Sequence, residues 1–267
     1  MKPKLLCSDL DGTLLITKSD VSEFTIAQLN RVKRTVRIIL VSARMPSGMR
    51  YLQKRLNIEK QPIICYNGAL IIDNEKEVHS TTIPLNIVHE ISNHCAPLKT
   101  ALGLYYKDEW YVPESSERVE KEIKYTRTKA IFRPTSETIT DWQARDLGAH
   151  KIMLMGTKES SDILIPILNE KLGSSINIYR SNDTLIEIAP KTVSKLTAIK
   201  QLLKPTETLA DVLAFGDNYN DLEMLSHCGI GVAVGNARAE LKRIADYVTV
   251  SNTENGVAEF IKHHLVI

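Results

Sequence analysis

The chain has 267 residues, 43% hydrophobic and 25% charged, which makes a buried core expected and excludes global disorder. That length is long for one compact domain and short for two full ones, so it suits a core domain carrying an inserted module. The 34 basic and 32 acidic side chains are intermixed to a net charge of +2, without the single-sign blocks that would mark a nucleic-acid or membrane partner.

From Lys4 to Ser8 a short apolar run ends at Asp9-Leu10-Asp11-Gly12-Thr13, which predicts a buried strand and a glycine-bearing turn with two carboxylates at the strand exit. Ser22 can cap a helix in which Phe24, Ala27, Leu29 and Val32 recur at helical spacing, and the β-branched run Val36 to Val41 follows as a second strand. Pro46 suits the first turn of another helix, and Pro62 to Tyr66 reads as a third strand reaching Asn67-Gly68. Strands alternating with helices imply a parallel sheet covered on both faces.

From about Ile71 the rhythm changes. Leu70 to Ile72, the turn-like Asp73 to Lys76, and Val78 to Ile83 predict a hairpin at which the chain leaves the first sheet. Residues 84 to 187 then offer helices over Leu85 to Cys95, Ser116 to Thr128 and Ser160 to Leu172. Between them lie strands over Leu102 to Tyr106, Lys151 to Met155, Ile176 to Tyr179 and Thr184 to Ile188, a pattern that suits a separate α+β module. After Pro190 the alternation resumes with a helix over Val193 to Leu203, a strand over Val212 to Phe215, a helix over Asp221 to Ser226 and a strand over Ile230 to Val234. A final helix, strand and helix close the chain near Ile267. The expected architecture is α/β: a Rossmann-like parallel sheet in an αβα sandwich over residues 1–82 and 189–267, with an inserted α+β domain over 83–188.

Cys7, Cys65, Cys95 and Cys228 lie far apart with no Cys-x-x-Cys pair, so they read as buried free thiols in a reducing compartment. The opening Met1-Lys2-Pro3-Lys4 leads into too few apolar residues for a signal-peptide core, and a cytoplasmic location is expected. A small molecule is the expected partner, bound by a monomer or weak homo-oligomer.

In open α/β sheets, ligands collect outside the carboxyl ends of the parallel strands. Asp9 and Asp11 stand at the first such exit, Ser42 at the second, Asn67 at the third, and Gly216 to Asp221 follow the strand ending at Phe215. Carboxylates gathered on one rim repel one another unless a cation joins them, and an all-oxygen set suits Mg2+. Asp9 and Asp217 are the expected ligands. Because Mg2+ readily shares a substrate phosphate oxygen, such a site is half of a phosphoryl-transfer centre. Lys195, Ser42 and the amides near Gly12 can supply the remaining positive charge and donors.

These residues resemble the haloacid dehalogenase-like superfamily. Asp9-Leu10-Asp11-Gly12-Thr13-Leu14 is similar to its D-x-D-G-T-L signature, Ser42 to its second motif, Lys195 to its third, and Gly216-Asp217-x-x-Asn220-Asp221 to its fourth. The insert between Asn67-Gly68-Ala69 and Lys195 resembles the C2-type cap of the Cof subgroup, whose members are mostly phosphatases of sugar phosphates and related metabolites. The resemblance implies that Asp9 is the nucleophile and Asp11 the acid and base, with its backbone carbonyl in the Mg2+ shell. It further implies that Ser42 and Lys195 hold the phosphoryl group, that Asp217 completes the metal site with Asp221 in support, and that the cap closes over the site. Gly12, Arg44, Asn67, Gly68 and Asn220 are the expected substrate contacts. Leu196 after Lys195 and Ala43 between Ser42 and Arg44 depart from the common pattern without removing a reacting atom. A sugar-phosphate phosphomutase, or a binding protein without turnover, is the alternative to a phosphatase.

Each residue has a plainer reading when taken alone. Asp-x-Asp-Gly-Thr can be a turn, Ser42 a helix cap, Lys195 a solvated lysine beside Lys191 and Lys200, and Asn67-Gly68 a tight turn. Tyr105, Tyr106, Trp110, Tyr179 and Arg180 belong with core packing at least as well as with a substrate. The ensemble carries the argument.

Overall fold

The computed structural model describes residues 2–265; Met1, Val266 and the expected chain end at Ile267 lie outside the described residues. The chain divides into two units, Met1–His79 with Ser194–Ile267, and Ser80–Val193.

The first unit begins with β1 (Leu5–Ser8), every residue of which is buried. Ser22 caps α1 (Glu23–Val32) by accepting from the Thr25 N–H, and Leu29 and Val32 lie on its buried face. Next come β2 (Arg37–Val41), α2 (Ser47–Leu56) and β3 (Ile63–Cys65). Helix α2 ends on Asn57 in the left-handed region, a stop that a short polar side chain tolerates. The hairpin does not leave this sheet as expected. β4 (Leu70–Asp73) pairs antiparallel with β3, and β5 (Lys76–Ser80) extends the edge beyond it. Asn74 and Glu75 both have positive φ, the backbone a tight two-residue hairpin needs.

The second unit is an α+β layer pair. Its helices are α3 (Leu85–Cys95), α4 (Glu117–Thr126), α5 (Thr135–Ala144) and α6 (Lys158–Leu172). Its strands are β6 (Ala101–Tyr106), β7 (Glu109–Val112), β8 (Ile131–Phe132), β9 (Lys151–Met155), β10 (Ile176–Asn182) and β11 (Leu185–Pro190). They form a sheet in the order β10-β11-β9-β6-β7-β8, antiparallel except for β7 with β8. Val88 and Ile91 of α3, Trp142 of α5 and Leu164 and Leu168 of α6 meet Leu102, Ile152, Leu154 and Ile188 of the sheet in one core.

The chain then returns to the first unit through α7 (Lys195–Leu202), β12 (Val212–Gly216), α8 (Leu222–His227), β13 (Ile230–Ala233), α9 (Ala239–Ile244), β14 (Tyr247–Val248) and α10 (Gly256–His264). The completed sheet runs β14-β13-β12-β1-β2-β3-β4-β5, parallel from β14 through β3. From β1 the chain steps one way to β2 and β3, and from β12 it steps the other way to β13 and β14. Right-handed crossovers therefore put α1 and α2 on one face and α8 and α9 on the other. The direction reverses between β1 and β12, which makes that crevice the place where a ligand is expected to bind.

Candidate active site

Asp9 follows β1 and Asp217 follows β12 at this reversal. The Asp9 N–H donates to the Phe215 carbonyl at 3.1 Å, which extends the β1–β12 ladder and sets the two exits side by side. The loop after Asp9 is one wide turn, closed by the Leu15 N–H on the Leu10 carbonyl and broken at Asp11 and Gly12. Gly12 has φ +85°, and a Cβ there would lie 2.5 Å from Asp217 Oδ2, so the turn requires glycine both for its backbone and for room. Thr13 Oγ1 donates to Asp217 Oδ1 at 3.1 Å, tying the two exits together.

Lys195 is the first residue of α7. Ser194 caps that helix and exchanges hydrogen bonds with Thr197, which fixes where the helix starts. The Lys195 ammonium is fully buried and donates to Asp9 Oδ1 at 2.6 Å and to Asp221 Oδ1 at 2.7 Å. The other Asp221 oxygen accepts the N–H groups of Asp217 at 3.0 Å and Asn218 at 3.1 Å. With both oxygens engaged, Asp221 braces the loop that presents Asp217.

One oxygen from each of Asp9, Asp217 and Asp221 comes within 4.8 Å of the other two. Three carboxylates thus gather beside one ammonium that is bonded to two of them, and the group is left with an excess of negative charge. Burial pushes the Asp9 carboxyl well above its ordinary range; Lys195 opposes this, and Asp221 and Asp217 add to it. Asp217 is pushed up to about 6 by burial and by Asp221, against the hydrogen bond from Thr13. Burial alone would lower the Lys195 ammonium, but Asp221 and Asp9 hold it above its ordinary value. A divalent cation with hard oxygen preferences would relieve the surplus, so this donor set fits Mg2+.

The other expected residues gather around this centre. Ser42 follows β2 and is buried; its Oγ accepts from the Arg44 N–H at 3.3 Å, and its carbonyl accepts the Asn67 N–H at 2.9 Å. Tyr66 and Asn67 are both left-handed, a strained exit from β3, and Asn67 Oδ1 accepts from the Asn220 side chain at 3.1 Å. Gly68 sits at φ +112°, where a Cβ would come within 2.4 Å of the Ser194 carbonyl. Its role in the structure is to let the β3 exit approach the start of α7. Arg44 was expected to contact substrate, yet its guanidinium is buried and bonded within the protein, gripping Asp11 at both carboxylate oxygens.

Several contributors were not anticipated. Asn236 donates to the Gly12 carbonyl at 2.8 Å, and Asn252 donates to the Leu15 carbonyl at 2.7 Å. The Asn252 N–H in turn donates to Asn236 Oδ1 at 2.9 Å, so the turn after Asp9 is held from outside by a linked pair. Asn236 lies just beyond β13, and the strand-exit rule that selected Asp9 and Asp217 would have found it. Thr13 lies within the Asp9–Leu14 motif, and only the fold shows that its hydroxyl reaches Asp217.

A family model of haloacid dehalogenase-like hydrolases matches residues 6–261. The chain is 33% identical over 265 residues to a Haemophilus influenzae protein that carries the name phosphatase, with 97% of each chain covered. It is 27% identical over 282 residues to the 5-amino-6-(5-phospho-D-ribitylamino)uracil phosphatase of Bacillus subtilis, covering 98% of each chain. Among solved structures, a haloacid dehalogenase-like hydrolase from Bacteroides thetaiotaomicron superposes with a TM-score of 0.90 at 29% identity, covering 99% of this chain and 100% of that one. The carboxylates at the β1 and β12 exits, the lysine that opens α7 and a family match over nearly the whole length agree: the chain belongs to the haloacid dehalogenase-like hydrolases and is a phosphatase of that family.

Proposed function

We propose that the protein hydrolyses small phosphomonoesters, sugar phosphates or related metabolites, with Mg2+ and through an aspartyl-phosphate on Asp9. The observation that carries this reading is the buried Lys195 ammonium shared between Asp9 and Asp221 beside Asp217. Asp9 and Asp217, with the Asp11 carbonyl and with Asp221 in support, would hold the cation. When bound, it would neutralise phosphate oxygens and the carboxylate excess.

An Asp9 oxygen attacks phosphorus, the ester P–O bond breaks, and the electron pair leaves on the departing oxygen, which takes a proton from the Asp11 carboxyl. A water then attacks the aspartyl-phosphate and gives its proton to Asp11; inorganic phosphate leaves and the Asp9 carboxylate returns. Lys195 steadies the phosphoryl charge as it passes. Ser42 has its Oγ fixed by the Arg44 N–H and offers its own hydrogen to a phosphoryl oxygen. The inserted unit acts as the C2-type cap. The uracil-derivative phosphatase of Bacillus subtilis supports a small phosphorylated metabolite as the substrate class. Four free, buried cysteines and the absence, among the described residues, of any helix long and apolar enough to cross a membrane support a place in the cytoplasm.

The test is phosphate release from sugar phosphates, nucleotides and pyridoxal phosphate, with Mg2+ and with excess EDTA, for the wild type and Asp9→Asn. Mg2+-dependent release that disappears in a folded Asp9→Asn protein is expected. Full turnover in EDTA would overturn the metal assignment, and full turnover in the variant would overturn the nucleophile.

A further inference from the structure

Arg44 lies two residues past Ser42 at the β2 exit, where a cation is readily taken for a phosphate ligand. A guanidinium has five N–H donors in a rigid fork. Nε donates to Asp11 Oδ2 at 2.7 Å, and Nη2 donates to Asp11 Oδ1 at 2.6 Å and to the Lys18 carbonyl at 2.7 Å. Nη1 donates to the Gly48 carbonyl at 3.3 Å and to the Tyr51 hydroxyl at 3.0 Å, and that hydroxyl donates to the Ser19 carbonyl at 2.9 Å. All five donors are used, and none remains for phosphate.

These bonds tie three pieces of chain to one side chain: the turn after β1, the loop at 18–19 and the first turns of α2. Only 4% of the Arg44 side chain is exposed, whereas 51% of the Asp11 side chain is. The two aspartates of one turn therefore have separate cationic partners. Asp9 points into the buried group with Lys195, and Asp11 is held at its open margin by Arg44.

We propose that Arg44 is the positioning residue of Asp11: its fork keeps the second carboxylate out of the Asp9–Asp217–Asp221 group and presents it where the leaving oxygen departs. An in-line displacement expels that oxygen on the side of phosphorus opposite Asp9, and the side opposite a buried nucleophile is the open one. Tyr51 belongs to the same device. Its hydroxyl bridges Arg44 to the Ser19 carbonyl and sets the roll of the guanidinium plane, on which bidentate contact with Asp11 depends. This inference rests on Asp11 serving as the acid.

The test compares leaving groups. An alkyl phosphate needs its departing oxygen protonated, whereas 4-nitrophenyl phosphate expels a stable phenolate that needs little help. General acid catalysis is worth roughly a hundredfold or more, so Asp11→Asn should lose at least that in kcat/KM on the best alkyl phosphate and far less on the aryl ester. Arg44→Lys, Arg44→Gln and Tyr51→Phe, each checked for an intact thermal transition, should reproduce that selectivity. The loss in kcat/KM, which covers the steps through leaving-group departure and not the hydrolysis of the shared aspartyl-phosphate, should be about tenfold greater on the alkyl ester than on the aryl ester. Tyr51→Phe leaves the buried charge in place, so it reports even if an Arg44 variant does not fold. Equal losses in kcat/KM on both esters would overturn the proposal in favour of a structural or phosphate-contact role. A lack of leaving-group selectivity in Asp11→Asn would instead overturn the reading of Asp11 as the acid, and the role of Arg44 with it.

Discussion

At the scale of single residues, the site carries more negative charge than the protein itself neutralises. Asp217, pushed up from 3.8 to about 6, binds its proton more tightly in the fold than in the unfolded chain. Without a divalent cation its contribution to stability is full below pH 4 and is lost as pH rises through 6. Asp217→Asn removes that repulsion. In EDTA at pH 7.5 it should unfold at a higher temperature than the wild type, by on the order of 2 kcal/mol, and the gap should close toward pH 4. Added Mg2+ should reverse the order, raising the melting temperature of the wild type and leaving the variant nearly unchanged. Thermal scans at two pH values, with and without the ion, check both statements. A variant no more stable than the wild type in EDTA would show that the carboxylates are not in conflict.

At the scale of elements, the placement of Lys195 depends on a contact between the β3 exit and α7. Gly68→Ala would put a methyl group 2.4 Å from the Ser194 carbonyl in a backbone region that L side chains avoid. The expected cost is about 2 kcal/mol or more, with a loss of turnover because the start of α7 must shift. Melting temperature and kcat measured together would separate this from a purely local strain, which would lower only the first. The site elements were legible in the sequence because each parallel strand is a compact apolar run ending in a polar residue, a pattern dictated by burial on both faces. The helices α3 and α6 were equally readable. α5 was not. Its run Thr135-Ser-Glu-Thr-Ile-Thr carries little helix propensity, and the helix is fixed by Trp142, which packs edge-on against Tyr106 and Tyr111. β7 and β8 were missed because they are short and take their register from neighbours across the sheet. Among site residues, the acids stand out by their places at strand exits, whereas Lys195 is set apart from Lys191 and Lys200 only by its resemblance to the third family motif. Arg44 reads as a substrate contact in the sequence because a sequence shows a cation but not how many of its donors are already taken.

For the molecule as a whole, one unit is assembled from both ends of the chain, and the other is continuous from Ser80 to Val193. The continuous unit has its own buried core, in which Trp142, Ile152 and Leu164 are 0% exposed. A fragment covering 80–193 should therefore fold alone with a cooperative thermal transition. In the full chain Mg2+ should raise only the transition of the split unit, since all the carboxylates grouped for it lie there. Calorimetry of the full chain and of the fragment, with and without the ion, distinguishes this from one unit melting as a whole.

The neighbours of β1 also set an order of events during synthesis. Leu5–Ser8 is made before the other strands of its sheet, and one edge of it can pair with β2 soon afterwards. Its other edge pairs with Val212–Phe215, which are made some two hundred residues later. Until then a fully buried apolar strand must wait with half its backbone groups unpaired. Chains that terminate early would expose this edge, so incomplete products of this protein should reach the cell's quality control as aggregation-prone species, with Asp9 in place but neither Lys195 nor Asp217 yet made.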